Sequence, residues 1–163
     1  MPIYIATLSL AAVERAAQIA DGIMPTMWSP ERSPTALPGP RRAVPRRRTC
    51  PLDTTLGLPA FIGDDLDSLR DLARQNLGLY TAFPYFRRMW CQSGFGAEAD
   101  QMEKGAGPSA LSDRLLDSFC LFGPVARCQD RLAAYRAAGV ALPILNPPIG
   151  PGAALAVVRA SGG

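Results

Sequence analysis

Two short apolar runs, separated by a segment with helical spacing, occupy the first 26 residues and leave few folds open to this chain. The run Ile3–Ala6 has no polar interruption, which is typical of a strand buried on both faces in a parallel sheet. Between Val13 and Ala20 the apolar residues recur with helical spacing, and Asp21-Gly22 ends that segment. A second apolar run begins at Ile23, so this region is predicted to be a strand, a helix and a strand.

The same alternation continues through the later part of the sequence. Leu56–Ile62 is predicted to be a third strand, and Val140–Leu145 a closing strand. Apolar residues at helical spacing predict the helices between these strands: Leu66–Tyr80, a short piece at Arg87–Gln92, Ser109–Cys120, and about 14 residues between Gly123 and Gly139. The chain is therefore predicted to be an α/β protein with about four parallel strands.

Composition divides the chain into four segments. Residues 1–28 hold the first strand, helix and strand, and residues 29–49 form an irregular insert rich in proline and arginine. This insert is either genuine or the product of a shifted reading frame. Residues 50–149 hold the remaining strands and helices, and residues 150–163 are predicted to be a flexible tail.

Several functional classes are excluded by the residue types that are missing. The chain has no histidine, so a Ser/His/Asp or Cys/His nucleophile system and a Cys/His metal site are excluded. Its four cysteines have no C-x-x-C spacing, and we expect reduced thiols, no metal and a cytoplasmic protein. No segment has the length of a membrane span. The net charge of +3 comes from the arginines of the insert, so nucleic-acid binding is not expected.

Two segments follow predicted strands directly and could hold an anionic ligand. In parallel α/β proteins, the loops at the carboxyl ends of strands build the ligand site, where helix N-termini can bind phosphate. Thr7-Leu8-Ser9 and Pro25-Thr26 occupy such positions. The structural alternative is that Ser9 caps the following helix and Thr26 ends a strand. Asp64 and Asp65 precede a helix, and we interpret them as capping residues.

Several stretches of this sequence resemble luciferase-like monooxygenases, a family of flavin- or F420-dependent oxidoreductases. The similarity is carried by a strand-helix-strand pattern that ends in Ala20-Asp21-Gly22, and by three later stretches. These later stretches are Leu58–Asp65, the Tyr80–Phe95 region with Pro84-Tyr85, and Phe122–Val140. The resemblance covers most of the chain outside the insert.

This resemblance implies the C-terminal portion of a (β/α)8 TIM-type barrel that binds FMN or the deazaflavin coenzyme F420. It implies contacts to the cofactor phosphate from Ala6, Thr7, Leu8 and Ser9 after the first strand, and from Thr26 after the second. A small-molecule substrate is implied as the second ligand, and no catalytic residue is identified. We expect an incomplete barrel with weak or no activity alone. The alternative is a non-enzymatic half-barrel that pairs with itself or with a complementing N-terminal half.

Overall fold

The computed structural model describes residues 1–31 and 52–161. Most of the predicted insert lies outside the described residues, and the segment boundaries at residues 28, 49 and 149 stay predictions. The chain divides into two compact units, of which unit 1 is drawn from Met1–Pro59 and Asp130–Asn146. Unit 2 is drawn from Ala60–Gln129 and Pro147–Gly163.

The described residues contain five strands and seven α-helices. The strands are β1 (Tyr4–Ala6), β2 (Gly22–Met24), β3 (Asp53–Ile62), β4 (Leu121–Gly123) and β5 (Leu142–Asn146). The helices are α1 (Leu10–Ile19), α2 (Leu66–Tyr80), α3 (Pro84–Gln92), α4 (Gly96–Glu103), α5 (Asp113–Phe119), α6 (Val125–Ala137) and α7 (Pro151–Ser161). Every strand pairing is parallel, which confirms the predicted α/β class. None of the described helices has the length and apolar character needed to cross a membrane.

The structure differs from the sequence prediction in several elements, and it adds helix α4, which was not predicted. The strand Leu121–Gly123 was not predicted because three residues next to a glycine are too short to show a period. The helix expected over Ser109–Cys120 covers only Asp113–Phe119, because Ser112 accepts the Leu115 amide and caps a new start. The expected flexible tail contains helix α7, which begins with a proline at its first position.

Unit 1 is a parallel sheet that is covered on both faces at β3, where the residues from Thr54 to Pro59 are all buried, and that has exposed residues on its outer strands β1 and β5. The sheet order is β1-β2-β3, and β5 pairs with β3 over Thr55–Pro59. Ile23, Leu56 and Leu58 point to one face and are fully buried. Residues paired in neighbouring strands share a face and successive residues alternate, so Tyr4, Met24, Thr26, Gly57, Ile144 and Asn146 share the other face.

The amino-terminal ends of the unit 1 strands are joined by a row of three paired residues. Tyr4 pairs with Gly22, which pairs with Asp53. The Tyr4 hydroxyl donates a hydrogen bond to the Asp53 carboxylate, and this bond raises the pKa of the tyrosine. The ring crosses over Gly22, which therefore has no room for a side chain.

Gly22→Ala is expected to lower the free energy of unfolding by about 1–3 kcal/mol, because the added methyl group overpacks the row. That methyl would lie 2.6 Å from Cδ1 of Tyr4 and 2.9 Å from the carbonyl oxygen of Asp53. Urea unfolding measures the change. Gly107→Ala is the matched control, because a methyl group there meets nothing within 4 Å. Equal unfolding midpoints for the two variants would contradict the packing of this row.

Unit 2 is built around aromatic side chains from α3, α5 and the turn before α4. Trp90 is fully buried and stacks on Phe119, with ring centroids 6.3 Å apart. Phe95 meets Phe119 edge-to-face at 5.6 Å, and the Arg114 guanidinium lies 4.8 Å from the Phe95 ring centroid. Here β4 pairs with the last three residues of β3.

Helix α2 of unit 2 begins at the predicted cap. The Asp65 carboxylate accepts from the amide of Ser68 at 3.3 Å and from its hydroxyl at 2.7 Å. These bonds hold the pKa of Asp65 below its ordinary value, the hydroxyl bond having the largest effect.

This capping predicts an acid dependence of stability. The pKa of Asp65 is lower in the folded than in the unfolded chain, so its contribution is fully present above about pH 4 and is lost as the pH falls through the folded value. Asp65→Asn keeps a side chain that caps well but does not titrate. We therefore expect the unfolding midpoint of Asp65→Asn to fall less between pH 5 and pH 3 than that of the unchanged protein. Parallel pH curves for the two proteins would contradict this.

Candidate functional site

The candidate site lies in unit 1, where β1 and β2 end beside each other. Ala6 pairs with Met24, and both residues are exposed. The chain leaves β1 through Thr7-Leu8-Ser9 into helix α1, and it leaves β2 through Pro25-Thr26. The structure therefore places the two predicted segments at the same edge of one sheet.

Ser9 is both the helix cap and an exposed hydroxyl at this edge. Its Oγ accepts from the Ala12 amide at 3.2 Å, which confirms the predicted cap. Its carbonyl accepts from the Val13 amide at 3.0 Å. The hydroxyl hydrogen can still donate to a ligand. The amides of Leu10 and Ala11 precede the first intrahelical bond, so helix geometry gives them no acceptor within α1.

Thr7 fixes the conformation of this loop through two hydrogen bonds within the protein. It is 4% exposed, its amide donates to the Met24 carbonyl at 3.3 Å, and its hydroxyl donates to the Ser9 carbonyl at 3.4 Å. The Thr7 donors predicted to face a phosphate are thus already used within the protein. Ala6 and Leu8 have no polar side-chain atoms, so any contact from them would be made by backbone.

Thr26 lies on a segment that is fixed against β3. The Gly57 amide donates to the Pro25 carbonyl at 3.0 Å, and the Met27 amide donates to the Gly57 carbonyl at 2.9 Å. Met27 is fully buried and has a φ of 53°, a left-handed conformation that is uncommon for a side chain of this kind. The two hydrogen bonds and the bridge between Thr26 and Gly57 fix Thr26 beside the middle of β3.

An ion pair holds the end of this segment. The Glu31 carboxylate meets the Arg131 guanidinium at 2.7 and 3.3 Å, and the Arg131 guanidinium also lies 5.6 Å from the Tyr135 ring centroid. Partial desolvation is the largest single effect on Glu31 and raises its pKa, but the hydrogen bonds from Arg131, the backbone and Ser29 together with the charge of Arg131 outweigh it, so the pKa of Glu31 is lowered. The bidentate pair ties the chain after β2 to helix α6.

Two polar side chains lie close to Gly57: Thr26 from the segment after β2 and Asn146 from β5. A methyl group on Gly57 would lie 3.3 Å from Oγ1 of Thr26 and 3.6 Å from Nδ2 of Asn146. Gly57 is buried, and a side chain there would crowd the Thr26 hydroxyl, so the lack of a side chain allows Thr26 and Asn146 to pack closely against this strand. Sequence reasoning identified Thr26 but neither Gly57 nor Asn146, because the contact depends on the pairing of β3 with β5.

The two buried cysteines of unit 2, Cys120 and Cys128, offer no nucleophile. Burial raises the pKa of Cys128 to about 11, and it also raises the pKa of Cys120. Both thiols are therefore protonated near neutral pH, and Cys91, Cys120 and Cys128 are free of disulfides. In the described part of the chain, no group of His, Cys, Asp or Glu side chains is arranged to hold a metal ion.

Comparison with known proteins identifies a family and several similar structures. The family model of luciferase-like monooxygenases matches residues 1–142. The coenzyme F420 dependent tetrahydromethanopterin reductase from Methanopyrus kandleri matches with a TM-score of 0.72 and 19% identity, over 96% of this chain and 48% of that chain. A search of curated proteins found no significant match.

Two further structures show the same likeness. Apo-MsnO8 matches with a TM-score of 0.59 and 17% identity, over 96% of this chain and 49% of that chain. An F420-dependent secondary alcohol dehydrogenase, solved with an F420-acetone adduct, matches with a TM-score of 0.57 and 10% identity, over 89% of this chain and 42% of that chain. This chain spans about half the length of these proteins. The likenesses confirm the predicted fold, a portion of a TIM-type α/β barrel.

Proposed function

Because the chain belongs to the luciferase-like monooxygenase family, we propose that it supplies the cofactor-phosphate side of a flavin- or F420-dependent oxidoreductase. The observation that carries the proposal is the capped N-terminus of α1, which follows β1 directly at the edge shared with Thr26. Helix N-termini at the carboxyl ends of parallel strands favour phosphate through their unpaired amides and their dipole.

Each predicted residue has a separate role in this site. Ala6 and Thr7 set the path of the loop, and Thr7 fixes it through its bonds to Met24 and Ser9. Leu8 and Ser9 would present backbone amides to the phosphate, and Ser9 adds its hydroxyl. Thr26 would add a second hydroxyl from the neighbouring strand. The bound flavin or deazaflavin would supply the hydride transfer or the oxygen activation.

The residues present fit the phosphate end of such a cofactor in charge as well as position. None of Ala6, Thr7, Leu8, Ser9 and Thr26 carries a negative charge, and the exposed Ser9 keeps a donor available. Hydrogen bonds to a charged phosphate are worth about 1.5–3 kcal/mol each. Two or three of them would give measurable affinity without a charged side chain.

Direct titration tests this proposal. Purified protein is titrated with FMN and separately with coenzyme F420, binding is followed by fluorescence, and oligomeric state is measured on the same samples. Saturable binding of either cofactor is the expected result. Folded protein that binds neither would refute the proposal, and far-UV circular dichroism establishes that it is folded.

A second candidate function is a non-enzymatic half-barrel that pairs with a copy of itself or with a complementing N-terminal half. It is favoured by the exposed apolar residues on the outer strands of unit 1, where Tyr4 is 42% and Leu142 57% exposed. Within the described residues β1 pairs with β2 alone, and an open edge strand is a template for another strand. Analytical ultracentrifugation separates the cases: a dimer that binds no cofactor favours pairing, and a cofactor-binding monomer argues against it.

A further inference from the structure

The sheet of unit 1 ends on each side in a strand with one neighbour. Its strand order is β1-β2-β3-β5, and among the described residues β1 pairs with β2 alone and β5 pairs with β3 alone. The short strand β4 pairs only with the last three residues of β3, which belong to unit 2. Both edges of the unit 1 sheet therefore present a row of backbone groups to a further strand.

The hydrogen bonds within the sheet show which backbone groups point outward. The Ile3 carbonyl and the Thr7 amide bond to β2, and the Ala141 amide bonds to β3. Because backbone groups alternate in direction along a strand, Tyr4 and Ala6 direct their amides and carbonyls to the outer side of β1. The outward-facing residues of β5 are Leu142, Ile144 and Asn146.

The residues at both edges are suited to accept another strand. None of the outward-facing residues is charged or a proline, although these are the usual means by which an edge strand is protected. Pro143 lies on β5, but the alternation places its missing amide on the side of β3. Ile3 is 54% and Leu142 57% exposed, so apolar surface at the two edges is left in water.

We propose that a second copy of this chain covers both edges, with β1 of each copy paired in parallel with β5 of the other. This inference rests on the half-barrel pairing given above as the second candidate function, and it names the partner and the interface. The fold is a portion of a TIM-type barrel that spans about half the length of similar proteins. Two sheets of four strands would close a barrel of eight, a size that side chains can fill.

A second copy fits both edges better than an unrelated partner. The four strands run in one direction, so β1 and β5 are the opposite ends of one parallel sheet. A two-fold axis along the barrel would give each copy both missing neighbours at once. It would also place the carboxyl ends of all eight strands, and hence both Thr7–Ser9 loops, at the same end of the barrel.

Proline substitutions at the two edges test the pairing. Ala6→Pro and Ile144→Pro each remove one outward amide, and each change occurs in both joints of the dimer. One net hydrogen bond corresponds to about two- to tenfold in affinity, so we expect dimerisation to weaken about 4- to 100-fold in each variant. Analytical ultracentrifugation over a range of concentrations measures the dissociation constant, and far-UV circular dichroism checks that each variant folds.

Gly107→Pro is the matched control for these variants. Gly107 lies in unit 2 with a φ of −72°, which proline adopts, and a side chain there meets nothing within 4 Å. We expect Gly107→Pro to dimerise as tightly as the unchanged protein. An equal loss in this control would overturn the assignment to the two edges.

Amide hydrogen exchange of the unchanged protein tests the same joints without a substitution, so the proposal stays testable if an edge variant does not fold. An amide that exchanges only in the monomer slows about tenfold when about nine-tenths of the chains are dimeric. We expect this concentration-dependent protection at Tyr4 and Ala6 on β1, and at Leu142 and Ile144 on β5.

The outcomes separate this inference from the pairing on which it rests. A dimer that neither edge variant weakens, or exchange at the two edges that is independent of concentration, would overturn the inference and leave pairing through another surface. A dimer weakened by Ala6→Pro alone would mean that like edges pair, and larger open-ended species would exclude closure. A monomer at every concentration would leave only a complementing N-terminal half as partner. Cofactor binding enters none of these measurements, so the phosphate site is tested separately.

Discussion

Trp90→Ala is expected to lower the free energy of unfolding by about 3–5 kcal/mol, which is a large part of the roughly 5–15 kcal/mol of a typical domain. Trp90 is fully buried in unit 2 and stacks on Phe119 at 6.3 Å. Truncation would remove the largest side chain from this aromatic core and leave a cavity that Phe95 and Phe119 cannot fill without moving. Urea unfolding, followed by circular dichroism, measures the loss.

Trp90→Phe is the matched variant, and it is expected to cost no more than about 2 kcal/mol. Phenylalanine keeps most of the apolar volume. It also removes the Trp90 indole Nε1, which has no hydrogen-bond partner among the described residues. A buried donor without a partner costs about 1–3 kcal/mol, so its removal offsets part of the lost volume. If Trp90→Phe destabilised as much as Trp90→Ala, the described packing around Trp90 would be wrong.

Ser9→Asp is expected to weaken FMN or F420 binding by about 10- to 100-fold while leaving stability nearly unchanged. The carboxylate would face the bound phosphate, and repulsion of about 1.4–2.8 kcal/mol corresponds to that range. Aspartate is a good N-cap, and Asp65 caps α2 in this same chain through an equivalent bond to the Ser68 amide. Fluorescence titration measures the affinity.

Two controls show whether the Ser9→Asp effect acts through phosphate. Riboflavin has no phosphate, so its affinity for Ser9→Asp should equal its affinity for the unchanged protein. Ser9→Ala loses the cap, which costs about 1 kcal/mol of stability, and loses one donor to phosphate. An equal loss of riboflavin and FMN affinity in Ser9→Asp would mean that the substitution disturbs the fold or the ring site.

The sequence predicts those elements whose signal is local. Helix α2 has about four turns of regular spacing from Leu66 to Tyr80 beside an aspartate cap, and the structure places the helix over these same residues. The cap at Ser9 can be predicted for the same reason: the capping hydroxyl of Ser9 and the Ala12 amide that it accepts from are only three residues apart. The parallel class follows from the alternation of strands and helices.

Features that depend on distant residues could not be predicted. Asn146 and Gly57 meet because β5 pairs with β3, and nothing local to either residue specifies that register. The same limit applies to Thr7, whose amide is used by Met24 on the neighbouring strand. A strand as short as β4 also has no recognisable period, and its existence depends on pairing with β3.

The central claim is that the loop from Thr7 to Ser9 binds a cofactor phosphate. The most direct test is the ratio of the affinities for a cofactor with and without its phosphate. The affinity of the unchanged protein is measured for FMN and for riboflavin, and in parallel for F420 and its phosphate-free form. We predict that the phosphate-bearing member of at least one pair binds about tenfold more tightly or better, since one charge-assisted hydrogen bond supplies that much. Equal affinities within both pairs would contradict the claim.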